Sequence, residues 1–210
     1  MSSYDASKPE GYPPSKTALL MLDYQNILVN MIQDPERKKK LVEAAKTLLE
    51  TARKNQVAII HCTMDTSLDP PPTNKVSEAW HTTHKPAFSS MPEIGAEYGE
   101  LAPTGAATDG SRERVSVRPP GYRSALVGEG LLATLQNELG VKHLVLGGIA
   151  TSGAIMGTAS HATDLDFVVT VVEDACWDPN EQVHRALIDT VLPSLAWIST
   201  VDEGVARLTG

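Results

Sequence analysis

At 210 residues the chain has the length of one domain, enough to bury a core without disulfides. Its 41% hydrophobic and 21% charged content is ordinary for a globular protein. A net charge of −8 argues against nucleic acid or an anionic membrane as the main partner, while leaving room for a local basic pocket that takes a small molecule.

Residues 1–15 are polar, with Pro, Gly and Ser, and read as a flexible N-terminal segment ahead of one domain over 16–210. The start carries no signal-peptide pattern, and no apolar run approaches the roughly 20 residues that span a bilayer. Cys62 and Cys176 read as buried thiols in a reducing, cytoplasmic setting.

Ala18 to Leu22 is a continuous apolar run, the pattern of a strand buried on both faces of a parallel sheet. Asp34-Pro35-Glu36 supplies a cap, a proline at the first helical position and an acid in the first turn. The helix that follows sets Leu41, Ala44, Ala45, Leu48, Leu49 and Ala52 on one stripe. Val57 to His61 reads as a second strand. From Thr66 to Arg112 the pattern weakens, with Pro70 to Pro72 breaking the chain, a short helix near Val76 to His81, and a glycine-rich loop over Thr104 to Arg112.

Order returns with a third strand at Val115 to Arg118 and a helix over Leu131 to Leu139 closed by Gly140. A fourth strand at His143 to Gly147 leads to a helix over Thr151 to Leu165, and Val168 to Val172 forms a fifth strand. Asp178, Pro179 and Glu181 resemble a capping box at the start of a helix ending near Leu192, and Trp197 to Thr200 is a candidate sixth strand. This alternation predicts a Rossmann-like α/β fold, three layers deep, with a mainly parallel sheet of about six strands.

In such sheets ligands bind beyond the carboxyl ends of the strands. That rule selects Asp23 after the first strand, Arg118 after the third, and Gly148 to Ala154 after the fourth. Asp23 also fits a plain turn former. The Gly147-Gly148 turn opens a helix whose first N–H groups would hold a carboxylate or an oxyanion, or is simply a tight turn. It matches neither a dinucleotide fingerprint nor a phosphate-binding loop, and no cofactor is expected.

These residues carry a family resemblance. Ala-Leu-Leu-Met-Leu-Asp23-Tyr-Gln25-Asn26 resembles the first-strand motif of the isochorismatase-like cysteine hydrolases. Gly148-Ile149-Ala150-Thr151-Ser152-Gly153 resembles their second hallmark, and Val171-Val172-Glu173-Asp174-Ala175-Cys176 the strand after it. Asn74-Lys75 and Glu100-Leu101-Ala102-Pro103 are similar too, so the resemblance runs from about Lys16 to Val201. It implies hydrolase activity on a small molecule, a homo-oligomer (dimer or tetramer), a cis Ile149–Ala150 peptide, and an Asp–Lys–Cys triad. Nicotinamidases, N-carbamoylsarcosine amidase, ureidoacrylate hydrolases and isochorismatases are members.

The acid of that triad maps onto Asp23, but the nucleophile position falls on Ala154. The lysine position falls on Arg118 or, anchored on Ser124-Ala125, on Pro120. Arginine stays protonated, so Arg118 is expected to clamp a substrate anion rather than shuttle protons. Three readings stay open. In the first, a cysteine-free hydrolase uses Asp23 as an acid with a raised pKa, as true isochorismatases protonate a vinyl ether and let water finish the cleavage. In the second, alanine has been substituted for the nucleophile of a cysteine amidohydrolase. In the third, the domain is a non-catalytic binder or scaffold.

Gln25, Asn26, Trp80, Tyr122, Ile149, Ala150, Thr151 and Gly153 are the candidate substrate-binding residues, with core or interface packing as the plainer alternative for the aromatic ones, Trp177 included. His81 and His84 are more readily a solvated or lid pair than a metal site, and His61 to Asp65 does not reproduce the nicotinamidase Asp-x-His ligands, so no metal is expected. His161 reads as a core histidine with its polar atoms satisfied, and Arg37 to Lys40 as a solvated first turn.

Overall fold

The computed structural model describes residues 5–103 and 112–210. Six parallel strands form one sheet: β1 (Thr17–Leu22), β2 (Ala58–Met64), β3 (Glu113–Arg118), β4 (His143–Ile149), β5 (Val168–Trp177) and β6 (Trp197–Ser199), in the order β3-β2-β1-β4-β5-β6. Every residue of β1 and β4 is buried, as expected for strands covered on both faces.

Alternation of side chains along β1 divides the core. Ala18, Leu20 and Leu22 face Leu131, Leu135, Ile155, Ala159 and Ala162 of the helical segments after β3 and β4. Leu19 and Met21 face the helix Pro35–Lys54, whose buried stripe is the expected one. The Asp34 carboxylate accepts from the Glu36 and Arg37 N–H groups, so the cap read from the sequence is present.

Several boundaries differ from expectation. Strand β5 runs on through Glu173 to Trp177, with a register shift against β4 between Leu146 and Gly148. Asn180, not Asp178, caps Glu181–Ala186, because the Asp178 carboxylate is drawn to the Ser152 N–H at 2.8 Å. A complete capping box, Thr200 with Glu203, starts the terminal helix Val201–Thr209, which the sequence reading did not include.

The N-terminal segment, expected to be flexible, makes contacts over its described part. It forms two 3-10 turns, Pro9–Gly11 and Pro14–Lys16, Tyr12 stacks on His143, and the Trp197 indole N–H donates to the Ser7 carbonyl. Of the expected loop over Thr104 to Arg112, only Arg112 lies within the described residues. Among the described residues no helix is long and apolar enough to cross a membrane.

Strand order reverses direction of growth between β1 and β4, and in open parallel sheets ligands bind at the carboxyl ends of the strands beside such a reversal. Asp23 follows β1, Arg118 ends β3, and the 149–154 turn follows β4, so all three lie at that edge.

Candidate active site

Asp23 sits where β1 ends, in a left-handed conformation (φ 54°) that Asp tolerates better than most residues. Its backbone N–H donates to the Cys62 carbonyl at 2.8 Å, which tethers the turn to β2. Its carboxylate receives both arms of the Arg118 guanidinium, at 2.9 and 2.5 Å. Both residues are buried, 7% and 4% exposed, so the pair is held in a low-dielectric interior.

Burial pushes the Asp23 carboxyl above its ordinary value, and Arg118 pulls against that shift. Burial works to lower the Arg118 guanidinium, but Asp23 outweighs it and leaves its pKa raised. The third Arg118 donor, Nε, goes to the Tyr122 carbonyl at 3.0 Å. Arg118 was expected as an open anion clamp; its fork is instead engaged by an internal carboxylate.

At the end of β4 the Ile149–Ala150 peptide is cis, as the resemblance implied. A Cβ on Gly148 would stand 2.3 Å from the Leu22 carbonyl oxygen, so glycine is required where β4 closes on β1. The Ser152 N–H donates to Asp178, and the Gly153 N–H donates to the Ala150 carbonyl at 3.0 Å. Thr151 and Ala154 lie in the same helical start, Thr151–Ile155, and both are buried. The Thr151 hydroxyl is buried against His184 Nδ1 at 2.8 Å. The Ala154 methyl packs in the same apolar cluster as Leu22, Cys62, Ala125 and Cys176.

Cys62 and Cys176 lie away from solvent. Both are free and buried, and burial pushes the Cys62 thiol far up and that of Cys176 to about 12.

The remaining candidates divide. Gln25 is buried and holds the backbone: its amide donates to the Met64 and Gly95 carbonyls and accepts from Met64 N–H. Asn26 donates to the Glu93 carbonyl. Both amides are thus bonded to the backbone of neighbouring segments. Trp80 does line a cavity of about 300 Å³, with Met64, His84, Phe88, Pro120 and Gly121, whose wall is almost wholly apolar. Its indole N–H is taken by Asp69 at 3.0 Å. Tyr122 lies 41% exposed and contributes its carbonyl to Arg118. Ile149 is buried, while Ala150 and Gly153 are partly accessible.

His161 is half-buried rather than in the core, with its Nδ1 3.0 Å from the Ser124 hydroxyl, and His81 lies 3.9 Å from Asp69. Among the described residues no group of three or more His, Cys, Asp or Glu side chains is arranged to hold a metal. What the sequence reading missed is His61, buried at the middle of β2 between Glu97 and Glu113. A histidine inside an apolar strand was the available signal.

Comparisons with known proteins bear on the family and the fold. A family model described as "Isochorismatase domain" matches residues 17–203. An uncharacterized isochorismatase family protein, YecD of Escherichia coli O157:H7, is 33% identical over 64 residues, 30% of this chain and 34% of that protein, so the match spans about a third of the relative's length. Among solved structures, an isochorismatase family protein from Burkholderia thailandensis superposes with a TM-score of 0.71 at 22% identity, covering 94% of this chain and 97% of that one. A cysteine hydrolase from Pseudomonas syringae pv. phaseolicola gives 0.71 at 16% identity, covering 94% of each chain. N-carbamoylsarcosine amidase from Thermoplasma acidophilum gives 0.66 at 18%, covering 89% and 97%.

Proposed function

The chain belongs to the isochorismatase family, and from that premise we propose that it hydrolyses a small carbonyl or enol-ether acid by acid/base catalysis at Asp23, without a cysteine nucleophile. One observation carries the reading: a buried carboxyl, raised by desolvation and held by Arg118, ends β1 in a chain whose residue 154 is a methyl group.

An anionic substrate would compete for the Arg118 fork. As it drew the guanidinium away, Asp23 would lose the cation that opposes its upward shift and hold a proton more strongly. On an enol ether that proton passes to the vinyl carbon, water adds to the resulting oxocarbenium carbon and returns a proton to the Asp23 carboxylate, and the hemiketal collapses to a ketone and an alcohol. On a carbonyl substrate, by contrast, Thr151 and Ala154 N–H would meet negative charge developing on the carbonyl oxygen. The apolar cavity beside Trp80 would take the body of the substrate. The two free cysteines suit a reducing, cytoplasmic setting, and a homo-oligomer (dimer or tetramer) is part of the same reading.

The test is turnover of a panel of enol-ether acids, small amides and ureas by the wild type, Asp23→Asn and Ala154→Cys. Acid/base catalysis at Asp23 requires about a 10²- to 10⁴-fold loss in Asp23→Asn. Unchanged activity in that variant, or activity found in Ala154→Cys alone, overturns the proposal.

A further inference from the structure

Behind Asp23 lies a buried group that the proposed reaction does not use. His61 is fully buried, and each of its ring nitrogens faces a carboxylate oxygen: Nδ1 is 2.8 Å from Glu97 Oε1, and Nε2 is 2.9 Å from Glu113 Oε1. A neutral imidazole has one N–H and one lone pair, and ionised carboxylates only accept. With both glutamates ionised and the ring neutral, one nitrogen lone pair would face an acceptor at hydrogen-bond distance in the interior, which is strongly unfavourable. The geometry therefore calls for one more proton, on the ring or on a carboxyl facing it.

Charge balance points the same way. Arg53 donates through Nε and Nη2 to both oxygens of Glu113, at 3.1 and 2.6 Å. With the extra proton, Arg53, Glu113, His61 and Glu97 together are neutral; without it they carry a buried negative charge. Burial pushes the Glu97 carboxyl up despite His61. For Glu113 burial acts upward too, but Arg53 and His61 outweigh it and hold the carboxyl below its ordinary value.

This group grips the turn that carries Asp23 from two sides. The Asp23 N–H donates to the carbonyl of Cys62, the residue after His61. On the other side Glu97 bridges Gln25, the Tyr98 N–H donates to the Tyr24 carbonyl, and the Asn26 N–H donates to the Ala96 carbonyl. Among the described residues, the titratable and charged groups that face Glu97 and His61 include Glu113 and Arg53 on one side, and Asp23 with Arg118, Tyr24 and Cys62 on the other.

We propose that Glu97, His61 and Glu113 share one proton at neutral pH, and that Glu97 is thereby a positioning residue for Asp23, keeping a neutral group instead of a second negative charge beside the reacting carboxyl. This inference rests on the reading of Asp23 as the acid/base. When the shared proton leaves, the new charge strengthens Asp23's hold on its own proton, so the two titrations are coupled.

The experiment is a pH titration of the full chain by NMR, reading the 13C shifts of the Asp23, Glu97 and Glu113 carboxyls and the 15N shifts of the His61 ring. At pH 7 the three-residue shifts should sum to one shared proton. The Asp23 signal should show its own inflection and a second, smaller one at the pH where that proton is released. In Glu97→Gln, whose amide N–H donates to Nδ1 in place of the proton, the second inflection should vanish while the first remains. His61→Gln serves as a second variant with the same expected loss. A neutral His61 between two ionised carboxylates at pH 7, a single Asp23 inflection in the wild type, or a second one surviving in the variants overturns the inference. The readout needs no turnover, so its failure is separate from an Asp23→Asn enzyme that loses nothing.

Discussion

Two buried polar centres lie at opposite ends of the same sheet, and they handle burial in opposite ways. At the carboxyl end, Asp23 meets a guanidinium bidentately and the charge is retained inside the protein. At the amino end, the His143 ring nitrogens meet hydroxyls, Thr17 Oγ1 at 3.2 Å and Thr170 Oγ1 at 2.9 Å, with Tyr12 stacked on its ring. Burial there lowers the imidazole to about 4, so it is held neutral. A neutral group with satisfied nitrogens is a structural device. A charge retained in the interior needs a partner, and a substrate able to compete for that partner can change the charge's proton affinity.

The largest expected effect breaks the charged centre. Arg118→Ala strands a buried carboxylate and should cost about 3–5 kcal/mol in denaturant unfolding, whereas Arg118→Met combined with Asp23→Asn, which keeps the left-handed backbone unstrained, should recover much of that loss. A smaller change sharpens the neutral centre. Between pH 6.5 and 4 the unfolded chain binds a proton that the folded chain resists, so the His143 contribution is present above pH 6.5 and is lost as the pH falls through that window. The loss approaches about 3 kcal/mol at pH 4, and His143→Gln should flatten the pH profile of the unfolding midpoint over this range. Back at the carboxyl end, Asp178→Ala removes a charge-assisted bond to Ser152 N–H and should cost about 1.5–3 kcal/mol. Thr170→Val removes one partner of a neutral ring and should cost about 1 kcal/mol in the same measurement.

The carboxyl-end centre was partly legible in the sequence. An acid at the end of an apolar run and an arginine at the end of a third strand are local signals, and the parallel-sheet rule puts both at one edge. What Arg118 does there was not legible, because its partner is 95 residues away and the pairing depends on strand order. The same holds for His61, whose partners lie 36 and 52 residues on. Gln25 and Asn26 matched a motif, but their amides are claimed by the carbonyls of Met64, Gly95 and Glu93, in a region where the hydrophobic period fails. Asp178 lost its expected cap because a tertiary partner, Ser152 N–H, competes with local capping. The helix over Val201–Thr209, by contrast, carried a Thr200–Glu203 signature that local reading could have used.

The left-handed backbone at Asp23 bears on how that residue can be interrogated. Asparagine adopts this conformation with little penalty, while a β-branched or bulky replacement adds backbone strain unrelated to proton transfer. Deleting the acid with the amide isostere therefore separates chemistry from folding, and a valine or leucine at the same position would confuse the two.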